Sequence, residues 1–181
     1  VTATYNGKTA TENYTVTVET PASTTYTLVT STDGLVDGAK YVLLTADGSK
    51  AASTWESSKF TTVAEGTSTY DIVGDVVTVE KDVTIFTLTA YGNTADGKTW
   101  KISDGSRNFG ASSGSANITA NGDSPFYITF NDNDKTVNIK LSTDATRNWV
   151  FNTDGYAIKY YATSTSSAKN LKLYKSNAQV V

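Results

Sequence analysis

The chain contains no cysteine, no methionine and no histidine, and only two prolines. Without cysteine there are no disulfides, no thiol chemistry and no thiolate metal sites. With both sulfur-bearing residues absent, nothing on a side chain can climb the sulfur oxidation ladder, which suits an exposed life; short Thr/Ser-rich β modules also lack these residues by composition alone. Without histidine, the usual base of a nucleophilic hydrolase is missing. Neither a nucleophile elbow nor a P-loop or dinucleotide strand-to-helix unit is expected, and no nucleotide cofactor with them. The net charge is −3 and the basic residues are scattered singly. A concentrated positive field is therefore lacking, and neither nucleic acid nor an anionic membrane surface is expected as a partner. No stretch approaches the ~20 apolar residues of a membrane helix, so no membrane insertion is expected. There is no signal-peptide core, and the chain starts at Val1 rather than Met, which reads as a piece of a longer, processed, multidomain chain.

What is present is β-forming. Thr, Ser, Asn and Gly dominate the polar residues, helix formers are scarce, and no segment keeps a 3.6-residue apolar period. The hydrophobic share is only 38%, but an aromatic share of 11% adds buried area enough for a core. The chain reads as all-β, with one main domain and a small appendage.

Three stretches share one pattern: Tyr41–Ser53, Trp100–Gly110 and Val137–Asn152. Each has an alternating strand, an Asp-bearing turn, a basic residue (Lys50, Arg107 or Arg147) and a short second strand. Ile118 and Ile158 each lie 11 positions beyond their arginine. Each unit closes on an apolar strand, at Ile85, Phe126 and Leu171. The wider first spacing is explained by an inserted hairpin, Tyr70–Lys81. Three copies of hairpin, third strand and closing strand predict a β-trefoil-like barrel, in which six strands close on themselves and three hairpins cap them. Another β-barrel or a sandwich would use the same short strands and turns.

Residues 1–20 read separately. Val1, Ala3 and Tyr5 alternate, Asn6-Gly7 is a two-residue turn signal, and Tyr14, Val16 and Val18 alternate on return. This hairpin resembles the last two strands of a bacterial immunoglobulin-like domain. Residues 21–25 read as a linker, and 26–175 as the barrel domain. The elements YTLVTS (Tyr26–Ser31), DGAKYVLL and LKLYK resemble a β domain near the C-terminus of secreted and surface proteins of gut bacteria. That resemblance implies a non-catalytic extracellular or cell-surface module. Trp100-Lys-Ile102 and the turn after it also resemble the opening of a ricin-type lectin repeat. The closing Gln-x-Trp of that family is replaced by Phe86-Thr-Leu88, Tyr127-Ile-Thr129 and Leu171-Lys-Leu173.

Few residues suggest chemistry. Asp132, Asn133 and Asp134 offer oxygens to a hard cation but lack the central Gly and terminal Glu of a twelve-residue calcium loop, so they read as a turn and no metal site is expected. The acids lie mostly in turns, and no pair is brought together as glycoside hydrolysis requires. No catalytic residue is assigned. Aromatic rings that stack on sugars are the remaining lead. Trp100 and Trp149 share faces with Ile102 and Phe151 and read as core. Trp55 lies in a polar segment, Tyr91 precedes a Gly/Asn loop, and Tyr161 faces opposite Tyr160; these three are the candidate ligand platforms, with Asn108 and Asn148 as polar partners. The expected function is a non-catalytic binding or adhesion module, with a polysaccharide or glycoprotein glycan as ligand and no cofactor. The alternatives are a ligand-free spacer, or an accessory domain of a secreted hydrolase.

Overall fold

The computed structural model describes residues 2–11, 23–66, 68–94, 97–112, 114–122, 124–141, 143–144 and 146–178. It is all-β. β1 (Thr2–Tyr5) and β2 (Lys8–Thr11) form a two-stranded antiparallel sheet of their own. Asn6 and Gly7 between them have φ of 47° and 72°, the pair of left-handed residues that a tight hairpin turn of this kind needs. The return strand is thus Lys8–Thr11, directly after the turn. The return placed by sequence at Tyr14–Val18 lies outside the described residues, as do residues 21 and 22 of the linker; its last two residues, Thr24 and Thr25, instead begin a strand that pairs with Val79 and Thr78.

The other strands belong to one large antiparallel sheet. They are β3 (Thr24–Leu28), β4 (Lys40–Thr45), β5 (Lys50–Glu56), β6 (Lys59–Ala64), β7 (Tyr70–Val73), β8 (Val76–Val79) and β9 (Phe86–Thr94). Next come β10 (Gly97–Ser103), β11 (Asn108–Ala111), β12 (Ile118–Ala120) and β13 (Phe126–Phe130). The last are β14 (Val137–Leu141), β15 (Arg147–Asn152), β16 (Ala157–Ala162), β17 (Ala168–Lys169) and β18 (Leu171–Ser176). β4, β9, β10, β13, β14 and β18 are neighbours in that order, and β18 pairs back onto β4. The six therefore close into a ring with no free edge among them.

The register around this ring repeats. Tyr41 lies opposite Phe86, Trp100 opposite Phe126, and Val137 opposite Leu171. Two residues along, Leu43 faces Leu173, Ile102 faces Leu88, and Ile139 faces Ile128. All twelve side chains are buried in one core. Strand alternation puts every second residue on the same face, and each such side chain adds ~1.5–3 kcal/mol on burial. The register also corrects one alignment: Phe126-Tyr-Ile128, not Tyr127-Ile-Thr129, stands where Phe86-Thr-Leu88 and Leu171-Lys-Leu173 stand.

Each of β4, β10 and β14 continues into a hairpin: β5–β6, β11–β12 and β15–β16. Their inward residues, Ala52 and Phe60, Phe109 and Ile118, Trp149 and Ile158, join the same core. The predicted insertion is β7–β8. It pairs with β3, which pairs with β18, and this extension covers the outer face of β4. Val42, Leu44 and Ala51 pack there with Tyr26, Tyr70, Val77, Val79 and Tyr174. β4 is consequently buried on both faces, which is why Tyr41–Leu44 is apolar without alternation.

One contact fixes the second hairpin. A Cβ built on Gly122 would meet Gly110 Cα at 2.6 Å and Gly110 N at 2.8 Å. Backbone cannot yield as a side-chain tip can, so Gly122→Ala should destabilise by ~1–3 kcal/mol through overpacking. Gly66→Ala is the control, since its Cβ would meet only Thr69 Oγ1 at 3.8 Å. Thermal melts of the two variants check this: equal melting temperatures would show that the strands part easily.

Candidate functional site

The three Asp-bearing turns are built alike. Asp47 Oδ1 accepts from Thr45 Oγ1 at 2.5 Å, Ser49 N at 3.1 Å and Ser49 Oγ at 2.9 Å. Asp104 Oδ1 accepts from the backbone of Ser106 and Arg107, and Asp144 Oδ1 from the backbone and hydroxyl of Thr146. Arg107 and Arg147 each reach back three residues to the aspartate, at 2.9 Å and 3.5 Å. These are side-chain-capped turns, and the ion pairs account for the recurring arginine at the second and third turn exits, whereas at the first it is the Lys50 backbone N–H that donates to Thr45 Oγ1 at 3.1 Å.

The first of these turns opens onto a cleft. A cleft of about 360 Å³ is lined by Thr45, Ala46, Asp47, Ser49, Asp134, Phe151, Thr153, Lys169 and Asn170. Four elements meet here: the β4–β5 turn, the β13–β14 turn, β15, and the junction of β17 with β18. The Ala46 N–H donates to the Asn170 carbonyl at 3.0 Å and ties two of them together. Phe151, 8% exposed, forms an apolar floor. Asp134 Oδ1 accepts from Thr136 N at 3.0 Å and Thr136 Oγ1 at 2.7 Å. In both carboxylates these bonds fall on Oδ1, which leaves Oδ2 for other partners.

The same bonds set the charge state. The Thr45 hydroxyl and the Ser49 backbone hold the Asp47 carboxyl below the usual carboxylate range, against a small cost of burial. The Thr136 hydroxyl and backbone do the same for Asp134. Both are therefore ionised at neutral pH. Depressed folded values mean that these turns contribute stability above the ordinary carboxylate range and lose it as pH falls through the folded values. The NDND segment is the β13–β14 turn, in which Asn131 Oδ1 also accepts from Asn133 N at 3.0 Å.

The residues singled out by sequence lie elsewhere. Trp55 is half-buried, not an exposed platform. Its ring meets Phe60 edge-on at 5.2 Å and Phe109 at 5.1 Å. Tyr91 is 53% exposed, with Lys101 Nζ 4.5 Å over its ring. Tyr161 is half-buried and lies across from Asn148 in the β15–β16 pair. Asn148 Nδ2 donates to Asn138 Oδ1 at 2.8 Å. Asn108 is exposed at the start of β11. Only Asn148 and Tyr161 are cross-strand neighbours, and none of the five lines the cleft. Sequence did not point to Tyr156, which is 71% exposed with φ of 45° at the β15–β16 turn. The Asp154-Gly155 pair before it was the available signal.

Two letter patterns are present although neither motif was expected. Gly92–Thr99 spells G-x-x-x-x-G-K-T, and Gly110–Gly114 spells G-x-S-x-G. Each needs a strand-to-helix turn to work. The first is instead a β9–β10 hairpin, where Thr99 is buried and its hydroxyl donates to the Gly92 carbonyl at 3.2 Å. The second runs out of β11 into a turn that leads to β12, with no histidine in the chain to activate Ser112.

In comparisons with known proteins, no family model, no curated protein and no solved structure matches the chain.

Proposed function

We propose that the chain is a non-catalytic, glycan-binding module of an extracellular or cell-surface protein, built on a β-trefoil-like barrel, and that the Asp47–Asp134 cleft takes the sugar. The barrel reading rests on the matched register of Tyr41, Trp100 and Val137 and on the three hairpins that follow. The binding reading rests on one observation: two ordered carboxylates, each with an oxygen to offer, flank an amide and an apolar floor in a cleft of sugar size. Carboxylates and an amide accept and donate to vicinal hydroxyls, while Phe151 meets the C–H face of a pyranose. The non-catalytic reading rests on the same pair. Cleavage of a glycosidic bond needs one carboxyl that keeps its proton, and both of these are held ionised. Residues 1–20 are read as the end of an Ig-like domain, consistent with the turn at Asn6-Gly7.

The test is calorimetric titration of neutral polysaccharide pools into wild type, Asp47→Asn and Asp134→Asn. Asparagine keeps the Oδ1 acceptor and so keeps each turn. Affinity should fall about tenfold or more, the ~1.5–3 kcal/mol of a hydrogen bond to a charged group, with melting temperature little changed. No binding by wild type, or equal binding by both variants, would refute the assignment. A second reading, a ligand-free spacer, is favoured by the inward packing of the tryptophans: Trp100 and Trp149 are buried and Trp55 leans on the core. That reading predicts no titration heat with any pool.

A further inference from the structure

A second cavity, of about 390 Å³, lies away from the carboxylate cleft and differs from it in sign and lining. It is bounded by Thr32, Leu35, Gly97, Lys98, Trp100, Tyr127, Ile128 and Thr129. Three pieces of chain make it. The β9–β10 pair runs past the ring as an arm, from the Thr87–Ser103 pair out to the Thr94–Gly97 pair. A hydroxyl–hydroxyl bond between Thr94 and Tyr127 fastens that arm to β13. The short turn at Thr32–Gly34 and the buried Leu35 behind it close the remaining side.

The described residues give the cavity an apolar floor and one charge. Trp100, Leu35 and Ile128 are buried members of the main core whose surfaces also line the cavity. Lys98 is the only charged residue among the described residues of the lining, and its Nζ stands 5.1 Å from the centre of the Trp100 ring. An ammonium at that distance is held over the indole face by the ring quadrupole. The cation is thus placed at the cavity, and less side-chain freedom is lost when it meets a ligand. Threonine hydroxyls at 32 and 129 supply neutral donors and acceptors. Gly97 leaves the mouth open, since a Cβ there would meet nothing within 4 Å.

An apolar floor, hydroxyls on the wall and one fixed cation are complementary to a small ring that carries a single anionic group. We infer that this cavity binds a carboxylate-bearing ring, with the carboxylate on Lys98 Nζ and the ring against Trp100, Leu35 and Ile128. A hexuronate and an aromatic acid share this chemistry. The carboxylate cleft has the opposite preference, because Asp47 and Asp134 outweigh Lys169 there.

Glucuronate, benzoate and glucose serve as probes, followed by heteronuclear NMR on the full chain. Glucuronate or benzoate should shift the Trp100 indole and Lys98 signals at millimolar concentration, while glucose should not. Which acid binds more tightly separates the sugar source from the aromatic one. Lys98→Gln should weaken the acid about tenfold, the loss of one charge-assisted bond. Lys98 is exposed, so this variant should fold, and its melting temperature verifies that. Asp134→Asn should leave acid binding unchanged, which separates this site from the cleft. No shift with either acid, or equal affinity for Lys98→Gln, would overturn the inference.

Discussion

Trp149→Ala should cost ~3–5 kcal/mol of stability, the range for deleting a large buried ring. Trp149 is 1% exposed and stands where the three hairpins meet the ring. Its indole lies 5.7 Å from Phe126, 5.8 Å from Phe60, 5.9 Å from Phe86 and 6.3 Å from Phe109. Those four rings come from β13, β6, β9 and β11, so one truncation removes contacts to four strands at once. Trp149→Phe should behave quite differently. The indole N–H is buried without an acceptor among the described residues, and an orphaned donor costs ~1–3 kcal/mol. Phenylalanine removes that donor and keeps most of the aromatic packing, so its stability should lie within ~1 kcal/mol of wild type by the same terms. Urea titrations of the three proteins decide it. A Trp149→Ala midpoint close to wild type would mean that the rings repack and the core is not organised around this residue.

How much of this was legible in the sequence depends on backbone register. Where alternation is unbroken, period-two reading placed side chains correctly: Tyr41, Trp100, Val137 and the third-hairpin Trp149 all face the core. It failed where a bulge intervenes. Between Ala52 and Trp55 the pairing to β6 shifts, so that Ala52 lies opposite Thr62 while Trp55 lies opposite Phe60. One extra residue reverses the face. Trp55, which simple alternation from Ala52 would turn to solvent among Ser, Thr and Glu, is instead turned onto Phe60 and Phe109. Tyr91 sits at a second bulge, between Ala90 opposite Trp100 and Gly92 opposite Thr99. Asp37 Oδ1 accepts the Ala90 N–H there at 2.8 Å, which gives the Asp37-Gly38 pair a role no local pattern signals. The cleft itself was not legible for a different reason. Asp47, Asp134, Phe151 and Asn170 come from separate elements, and only the closure of the ring brings them together.

The chain should keep a nearly constant stability from about pH 5 to 9 and then lose it steeply above about pH 10. No histidine or cysteine exists to titrate in the middle range; the α-amino group is the exception. Above it, tyrosine controls the outcome. Burial pushes the Tyr174 phenol up to about 12, with the Asp75 charge adding to it. Burial raises Tyr26, Tyr41, Tyr70 and Tyr160 as well. Tyr70 is raised furthest, its hydroxyl donating to the Gly48 carbonyl at 2.8 Å from a fully buried position. A raised folded value means that the native state holds its proton where the unfolded chain has released it. The contribution is therefore complete below the unfolded value near 10 and is lost as pH rises from there toward the folded value. For Tyr174 alone this is worth up to ~3 kcal/mol, and the neighbouring Tyr26 and Tyr70 draw on the same packed layer. Tyr26, Tyr70 and Tyr174 line the interface between the ring and the β3–β8–β7 extension, so ionising them breaks the packing that joins the two. Ultraviolet titration of phenolate, followed alongside far-ultraviolet circular dichroism, checks the prediction. Buried phenols should ionise only together with loss of β structure, in one cooperative step. Gradual ionisation near pH 10 with the β signal intact would show that these rings are reached by water in the native state.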